Sequence, residues 1–367
     1  MKNDTPAHVK LLKIPVSVAL FLQVASSSQA LTAAPPQLQN PVANIVSRQW
    51  DFEERFRIKA GSSQPGKNER CVNVPGNKYT GIIRDFYILN KDNQPIRRWL
   101  WNYRKGIGGN SWISYSDAYK SKQSLALRYP ADASSYCNNT QKMEYHLTNV
   151  NSTIPCRRCK PKGLFEFNRI AYTGFAFKLG TTNQEGTRNS FDDPKGWILI
   201  AQWRQDSAPG GSPIVSLQAY PVPNKSNKIE MRVSANSGQT PKGKHKEFVP
   251  FRFFVDKNKW NRFVLESSFD PQVNGNAYLR VQHNGQYLSV GTGQGDRDPG
   301  TATKWEHAIG YTNLVDPKNS NTAFAIDIYR LRQAVNHVVL FDKIRIVNPA
   351  KNIANSSAAA MADPDNW

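Results

Sequence analysis

The stretch Gly196-Trp197-Ile198-Leu199-Ile200-Ala201-Gln202-Trp203-Arg204-Gln205 decides the fold class. Apolar residues run without a turn into an amide, an indole and a guanidinium. Side chains alternate faces along a strand, so Ile200, Gln202 and Arg204 are predicted to share one face, and Leu199, Ala201 and Trp203 the other. One face packs against a core. The opposite face presents Gln202 and Arg204, flanked by the ring of Trp203. The pattern predicts a sheet whose exposed face grips something polar and anionic.

Working outward, the same texture recurs. Short runs of β-branched and aromatic residues are cut by Gly, Pro, Asn and Asp. The clearest are Ser124 to Tyr129, Ile170 to Leu179, Ile229 to Val233, Phe248 to Val255, Arg262 to Phe269, Ala277 to His283, Phe324 to Arg330 and His337 to Val347. Asn284-Gly285, between two such runs, is a strong hairpin signal. No long stretch has helical periodicity with caps. The expectation is an all-β sandwich or jelly roll, one domain over residues 45–350. Residues 351–367, rich in Ala, Ser and Asp, are expected to be a disordered tail.

The N-terminus predicts export. Lys10 and Lys13 precede the apolar segment Ile14 to Ala25, and Ser28-Gln29-Ala30 offers a small-residue cleavage pattern. Residues 1–30 therefore resemble a secretory signal peptide, followed by a Pro/Ala/Gln-rich linker over 31–44. The apolar core falls short of the ~20 residues of a spanning helix, so no membrane span is expected. Four cysteines, Cys71, Cys137, Cys156 and Cys159, form an even set that suits structural disulfides in an exported chain. Three pairings are open; the first choice joins Cys156 to Cys159 and Cys71 to Cys137. A half metal site or a redox pair at Cys156-Cys159 lacks a second Cys-x-x-Cys and a thioredoxin-like context.

The 367 residues carry a formal charge of +20, spread along the chain and not confined to a tail. Such a balance suits a polyanionic partner. Export disfavours nucleic acid and favours an acidic polysaccharide, and the chain is expected to act as a monomer. Hydrophobic residues make up only 39%, but 17 Phe, 14 Tyr and 9 Trp can build a core with fewer aliphatics.

Three strand segments carry candidate chemistry. In Gln141 to Leu147, Lys142, Glu144 and His146 share a face. The second segment supplies Gln202 and Arg204. In Phe324 to Arg330, Ala325, Asp327 and Tyr329 share a face, with Arg330 turned away. Each has an ordinary structural reading: an ion pair for Lys142 and Glu144, a hydrogen-bonded sheet histidine, a strand tyrosine reaching solvent. Facing one groove, they supply cations, an amide, an imidazole and a phenol. Trp99 and Trp101 are candidate sugar-stacking platforms.

In order and character, Lys142-Met143-Glu144, Gln202-Trp203-Arg204 and Ile328-Tyr329-Arg330 resemble the polysaccharide lyases of the heparin lyase I type and the alginate lyase type. Those families carry Arg-x-Glu, Gln-x-His and a closing strand with a catalytic Tyr. Gly174 to Leu179, Trp260 to Leu265 and Phe341 to Ile346 resemble further landmarks, so the likeness spans roughly residues 50–347. It implies a concanavalin A-like β-jelly roll with a concave substrate groove. The implied activity is β-elimination on a uronate polymer. Gln202 with Arg204 or Lys142 would neutralise the carboxylate. Tyr329 would be the acid and is one candidate for the base. His146 is the other base candidate. Trp203 and Trp101 would contact substrate, and Glu144 would be structural. Two positions depart from the pattern. Arg204 stands where the families keep His, and Ala325 where they keep Lys.

A non-catalytic binding module for the same polymer, and a sandwich-fold glycoside hydrolase, are the alternatives. No Glu-x-Asp-x-x-Glu motif supports hydrolysis. No cofactor is required: the six histidines are scattered without ligand spacing. A structural calcium held by loop oxygens, for instance near Asp296 and Asp298, has no specific loop pattern behind it.

Overall fold

A computed structural model describes residues 46–50, 59–60, 64–65, 81–89, 95–103, 110–131, 140–147, 165, 167–181, 190–205, 213–223, 227–237, 246–270, 277–289, 308–311, 322–349 and 355–366. All lie within the compact unit Ala43–Trp367. The signal-like segment, the linker, all four cysteines and the Asp296–Asp298 loop fall outside the described residues.

The described residues form nineteen strands and one α-helix. The strands are β1 (Val46–Trp50), β2 (Lys59–Ala60), β3 (Gln64–Pro65), β4 (Gly81–Leu89), β5 (Pro95–Tyr103), β6 (Asn110–Ser114), β7 (Ser124–Tyr129), β8 (Thr140–Leu147), β9 (Ile170–Leu179) and β10 (Ile198–Gln205). There follow β11 (Val215–Pro221), β12 (Lys228–Ser237), β13 (Lys246–Asp256), β14 (Trp260–Ser268), β15 (Ala277–His283), β16 (Gln286–Tyr287), β17 (Ala308–Tyr311), β18 (Thr322–Leu331) and β19 (His337–Asn348). The helix α1 spans Asn355–Ala362.

Two antiparallel sheets stack as a β-jelly-roll sandwich. One has nine strands in the order β16-β15-β14-β9-β19-β7-β6, with β1 on β19 and β17 on β15. The other has ten, in the order β13-β12-β11-β10-β18-β8-β5-β4-β2, with β3 on β4. The central pairs, β10 with β18 and β18 with β8, join strands far apart in sequence, as jelly-roll connections require.

Alternation places the core. Phe175 and Phe177 from β9 and Phe263 and Leu265 from β14 meet Trp203, Phe324 and Met231 of the ten-stranded sheet in one buried cluster. The aromatic rings lock together: Phe175 lies 5.2 Å from Phe263 and 5.7 Å from Phe324, centroid to centroid. Full burial of such rings contributes about 1.5–3 kcal/mol each. The Asn284-Gly285 hairpin forms as expected between β15 and β16, with φ of 51° and 83°. Two positive φ values in a two-residue loop are the signature of a type I′ turn.

Within the tail expected to be disordered over 351–367, the described residues 355–366 are instead ordered. Helix α1 lies on the outer face of the nine-stranded sheet, where Ala358, Ala359 and Ala362 cover Tyr172, Val264 and Val347. Arg262 ties the segment down, donating to Asp363 at 2.9 and 3.0 Å and pairing with Asp365 at 2.8 Å. A Cβ on Gly174 would stand 1.8 Å from the carbonyl oxygen of Ala362, so only glycine admits the helix this closely.

Candidate functional site

The candidate site lies on the outer face of the ten-stranded sheet, at β8, β18 and β10. On β18, Phe324, Ile326 and Ile328 enter the core, which turns Ala325, Asp327 and Tyr329 to the opposite face. Strand β10 is not a simple alternation. Its register with both neighbours shifts between Leu199 and Ala201. Ile200 and Ala201 consequently both enter the core. A bulge of this kind re-aims the residues beyond it. Gln202 and Arg204 share their face with Leu199, not with Ile200, which corrects the strict alternation expected from sequence.

The bulge brings Gln202 to Asp327. The amide Nε2 donates to Oδ2 of Asp327 at 2.5 Å, and both side chains are buried. Tyr329, on the face that Asp327 shares, is half-buried, and its ring packs against that of Trp197 in a T-shaped arrangement, centroids 5.0 Å apart. Arg204 is half-buried too. Backbone register places Lys142 opposite Tyr329, Glu144 opposite Asp327 and His146 opposite Ala325. On the next strand, Trp101 pairs with Glu144 and Trp99 with His146. Directly opposed positions lie on one side of a sheet. The five sequence-predicted positions Lys142, His146, Gln202, Arg204 and Tyr329 thus belong to three adjacent strands. The side chains of Lys142, Glu144, His146 and Trp101 lie outside the described residues.

Trp203 is a correction. It was expected to contact substrate, but it is fully buried between the sheets. Its indole Nε1 donates to Thr173 Oγ1 at 3.0 Å, and its ring packs 5.0 Å from Phe324. An indole of that size with its N–H satisfied is a core anchor.

Arg330 faces away from Tyr329, as expected, and fastens the end of β18. Its guanidinium is completely buried and donates to Gln141 Oε1 at 2.7 Å, Val335 O at 2.9 Å and Pro130 O at 3.1 Å. It also contacts Nδ1 of His337. Burial pulls the Arg330 pKa down to about 10. Burial, and then the neighbouring Arg330 charge, hold His337 well below its ordinary value, so its imidazole is neutral.

Sequence reasoning missed a polar network on the same sheet face over β11, β12 and β13. Tyr220 donates to Gln218 Oε1 at 2.8 Å, and the Arg232 guanidinium lies 3.8 Å above the Tyr220 ring. Glu230 accepts from Arg232 at 2.9 Å and from Arg252 at 3.0 Å. Burial pushes the Glu230 carboxyl up, but the hydrogen bonds from Arg232 and Arg252 outweigh it and hold the pKa below its ordinary value. The signal was present: Ile229-Glu230-Met231-Arg232-Val233 alternates cleanly, and Ile229, Met231 and Val233 are core residues.

Among the described residues, no group of three or more His, Cys, Asp or Glu converges as a metal site. No helix among them is long and apolar enough to cross a membrane.

No curated protein matches the chain significantly. Among solved structures, it is similar to an endo-β-1,4-glucuronan lyase from the fungus Trichoderma reesei, with a TM-score of 0.47 and 14% identity, over 72% of this chain and 93% of that one. It is also similar to the alginate lyase Aly36B, with a TM-score of 0.37 and 10% identity, over 67% of this chain and 88% of that one. A third, the alginate lyase AlyC3 in complex with dimannuronate, gives a TM-score of 0.33 and 10% identity, over 62% and 76%. A family model described as polysaccharide lyase matches residues 113–345, more than half of the sequence and the span that holds β8, β10 and β18, and the chain therefore belongs to the polysaccharide lyase family of enzymes.

Proposed function

We propose that this lyase cleaves a uronate-containing polysaccharide by β-elimination at the face formed by β8, β18 and β10. The observation that carries the reading is the Gln202–Asp327 hydrogen bond, on the face that also presents Tyr329. The bond fixes the plane of the Gln202 amide on the floor of the site.

In the reaction, a base removes the proton from C5 of the uronate. The electron pair of that bond becomes the C4–C5 double bond, the C4–O4 bond breaks, and an acid protonates the departing O4. The C5 proton is weakly acidic because its removal loads negative charge onto a group that already bears a carboxylate. Gln202, with Arg204 and Lys142, neutralises that charge. The planar fork of Arg204 suits a carboxylate bidentately, which gives a role to the arginine that replaces the families' histidine. Tyr329 delivers the proton to O4. His146 or Tyr329 takes the C5 proton, and Trp101 offers a sugar platform. Elimination of this kind needs an acid, a base and cations, and no cofactor. The signal-like N-terminus supports a secreted or periplasmic enzyme.

The test is incubation with polyuronates and glycosaminoglycans while the absorbance of the unsaturated product is followed. A rise is expected with at least one polymer, and Tyr329→Phe should reduce it by about 10²–10⁴-fold. Binding without any rise would point to a non-catalytic module. New reducing ends without absorbance would point to hydrolysis. Full activity in Tyr329→Phe would remove that residue from the mechanism.

A further inference from the structure

Across the ten-stranded sheet, register defines a single transverse row. Tyr329 lies opposite Leu199, Leu199 opposite Gln218, Gln218 opposite Arg232 and Arg232 opposite Arg252. Strands stand about 4.8 Å apart, so the Arg252 position is four spacings, about 19 Å, from Tyr329. Several sugar rings laid across the strands span that distance.

At the far end of the row the surface changes character. Phe254 on edge strand β13 is 56% exposed, on the face opposite the core residue Phe253. Two residues away, Arg252 shares that face, and its side chain is 27% exposed beside Arg232 at 25%. Glu230 bridges the two guanidinium groups and holds both in place, leaving the trio with a net positive charge. The Tyr220 ring supports Arg232 from beneath. An exposed aromatic ring is costly to leave in water and is favoured where it meets a partner. A guanidinium pair at its edge selects a partner that is anionic as well as flat. Glu247, which accepts from Gln218 at 3.3 Å, adds a carboxylate on the other side of the row and disfavours an anion there.

We propose that Phe254, Arg252 and Arg232 form a distal subsite that binds a uronate ring of the substrate chain, remote from the ring that reacts. Phe254 takes the apolar face of the sugar, and the two arginines take its carboxylate. This rests on the uronate lyase reading above and adds to it a determinant of chain-length preference. Binding energy from a remote ring acts chiefly on affinity unless it is used to distort the reacting ring.

The experiment measures binding by calorimetry to the full chain carrying Tyr329→Phe. The probes are hexamers of β-1,4-linked glucuronate and of β-1,4-linked mannuronate, with the corresponding dimers. Adding Phe254→Ala or Arg252→Gln should weaken a hexamer about tenfold and leave its dimer unchanged. Phe254 is exposed, so its truncation leaves the fold intact, and an unchanged thermal midpoint checks this. Equal hexamer affinity with and without Phe254→Ala overturns the subsite, as does failure of both hexamers to bind. Equal losses for hexamer and dimer also overturn it, because the site would then be shared and not distal. The absorbance assay on the wild-type chain decides the lyase reading separately: it can succeed while the subsite fails.

Discussion

At the scale of single residues, two buried ionisable groups away from the candidate site respond to acid in opposite senses. His283 lies 3.0 Å from Asn261 Oδ1, with its ring 4.4 Å from that of Phe253. Burial, and then the charge of Arg262, lower its pKa to about 4. A histidine depressed in the folded state contributes stability that is present above about pH 6.5 and is lost as pH falls through 4. Asp342 acts in the opposite sense. Burial raises its carboxyl to about 7, so its contribution is present at low pH and lost as pH rises through 7. The two overlap, so the prediction is a difference. Between pH 7 and 4.5, His283→Gln should lose less thermal stability than the wild type, scanned side by side. Parallel curves would mean that His283 does not titrate across the transition. Gln202 and Tyr329 stand out in the sequence as candidates because a polar residue interrupting an apolar strand is conspicuous. The partnership of Gln202 with Asp327 was not legible, because 125 positions separate them.

At the scale of elements, the regular strands were the most legible part of the chain. Ser124–Tyr129, Ile170–Leu179 and Ala277–His283 have the bounds that their alternation implies. Strand β11 was passed over, although Val215, Leu217 and Ala219 alternate with polar residues, because small side chains blur the contrast. Helix α1 is a stronger case. Its sequence, Asn-Ser-Ser-Ala-Ala-Ala-Met-Ala, has no apolar stripe to set its period apart, and its stability comes from docking. Gly174→Ala tests that docking. The new Cβ meets backbone at 1.8 Å, and backbone cannot rotate aside. The variant should lose about 1–3 kcal/mol in denaturant unfolding. It should also release the 355–366 segment to proteolysis ahead of the sandwich. Wild-type stability in Gly174→Ala would show that the helix contributes nothing to the fold.

At the scale of the whole molecule, charge and topology act together. A formal charge of +20 attracts a polyanion before any contact is made. Salt shortens the reach of that field from about 30 Å at 0.01 M to about 8 Å at 0.15 M. The KM for the polymeric substrate should therefore rise several-fold over that range, with kcat nearly constant. A KM indifferent to salt would reduce the charge to a solubilising role. The order β13-β12-β11-β10-β18 brings Arg252, Arg232, Gln218 and Tyr329, from distant segments, into one row on one face.

The sequence alone determined the strand texture, the Asn284-Gly285 turn, the opposed faces of β18 and the likeness to polysaccharide lyases. All of these depend on neighbours within a few residues, where periodicity and turn chemistry act. Tertiary structure decided the rest. A bulge at Ile200 reset the phase of β10, turning Gln202 toward Asp327, while Trp203 went to the core. Docking ordered an Ala-rich tail. Pairing of β11, β12 and β13 assembled Tyr220, Arg232, Arg252 and Phe254 into one patch. The physical reason is shared: each outcome is set by contacts between segments far apart in the chain, and local pattern carries no record of which segments will pair.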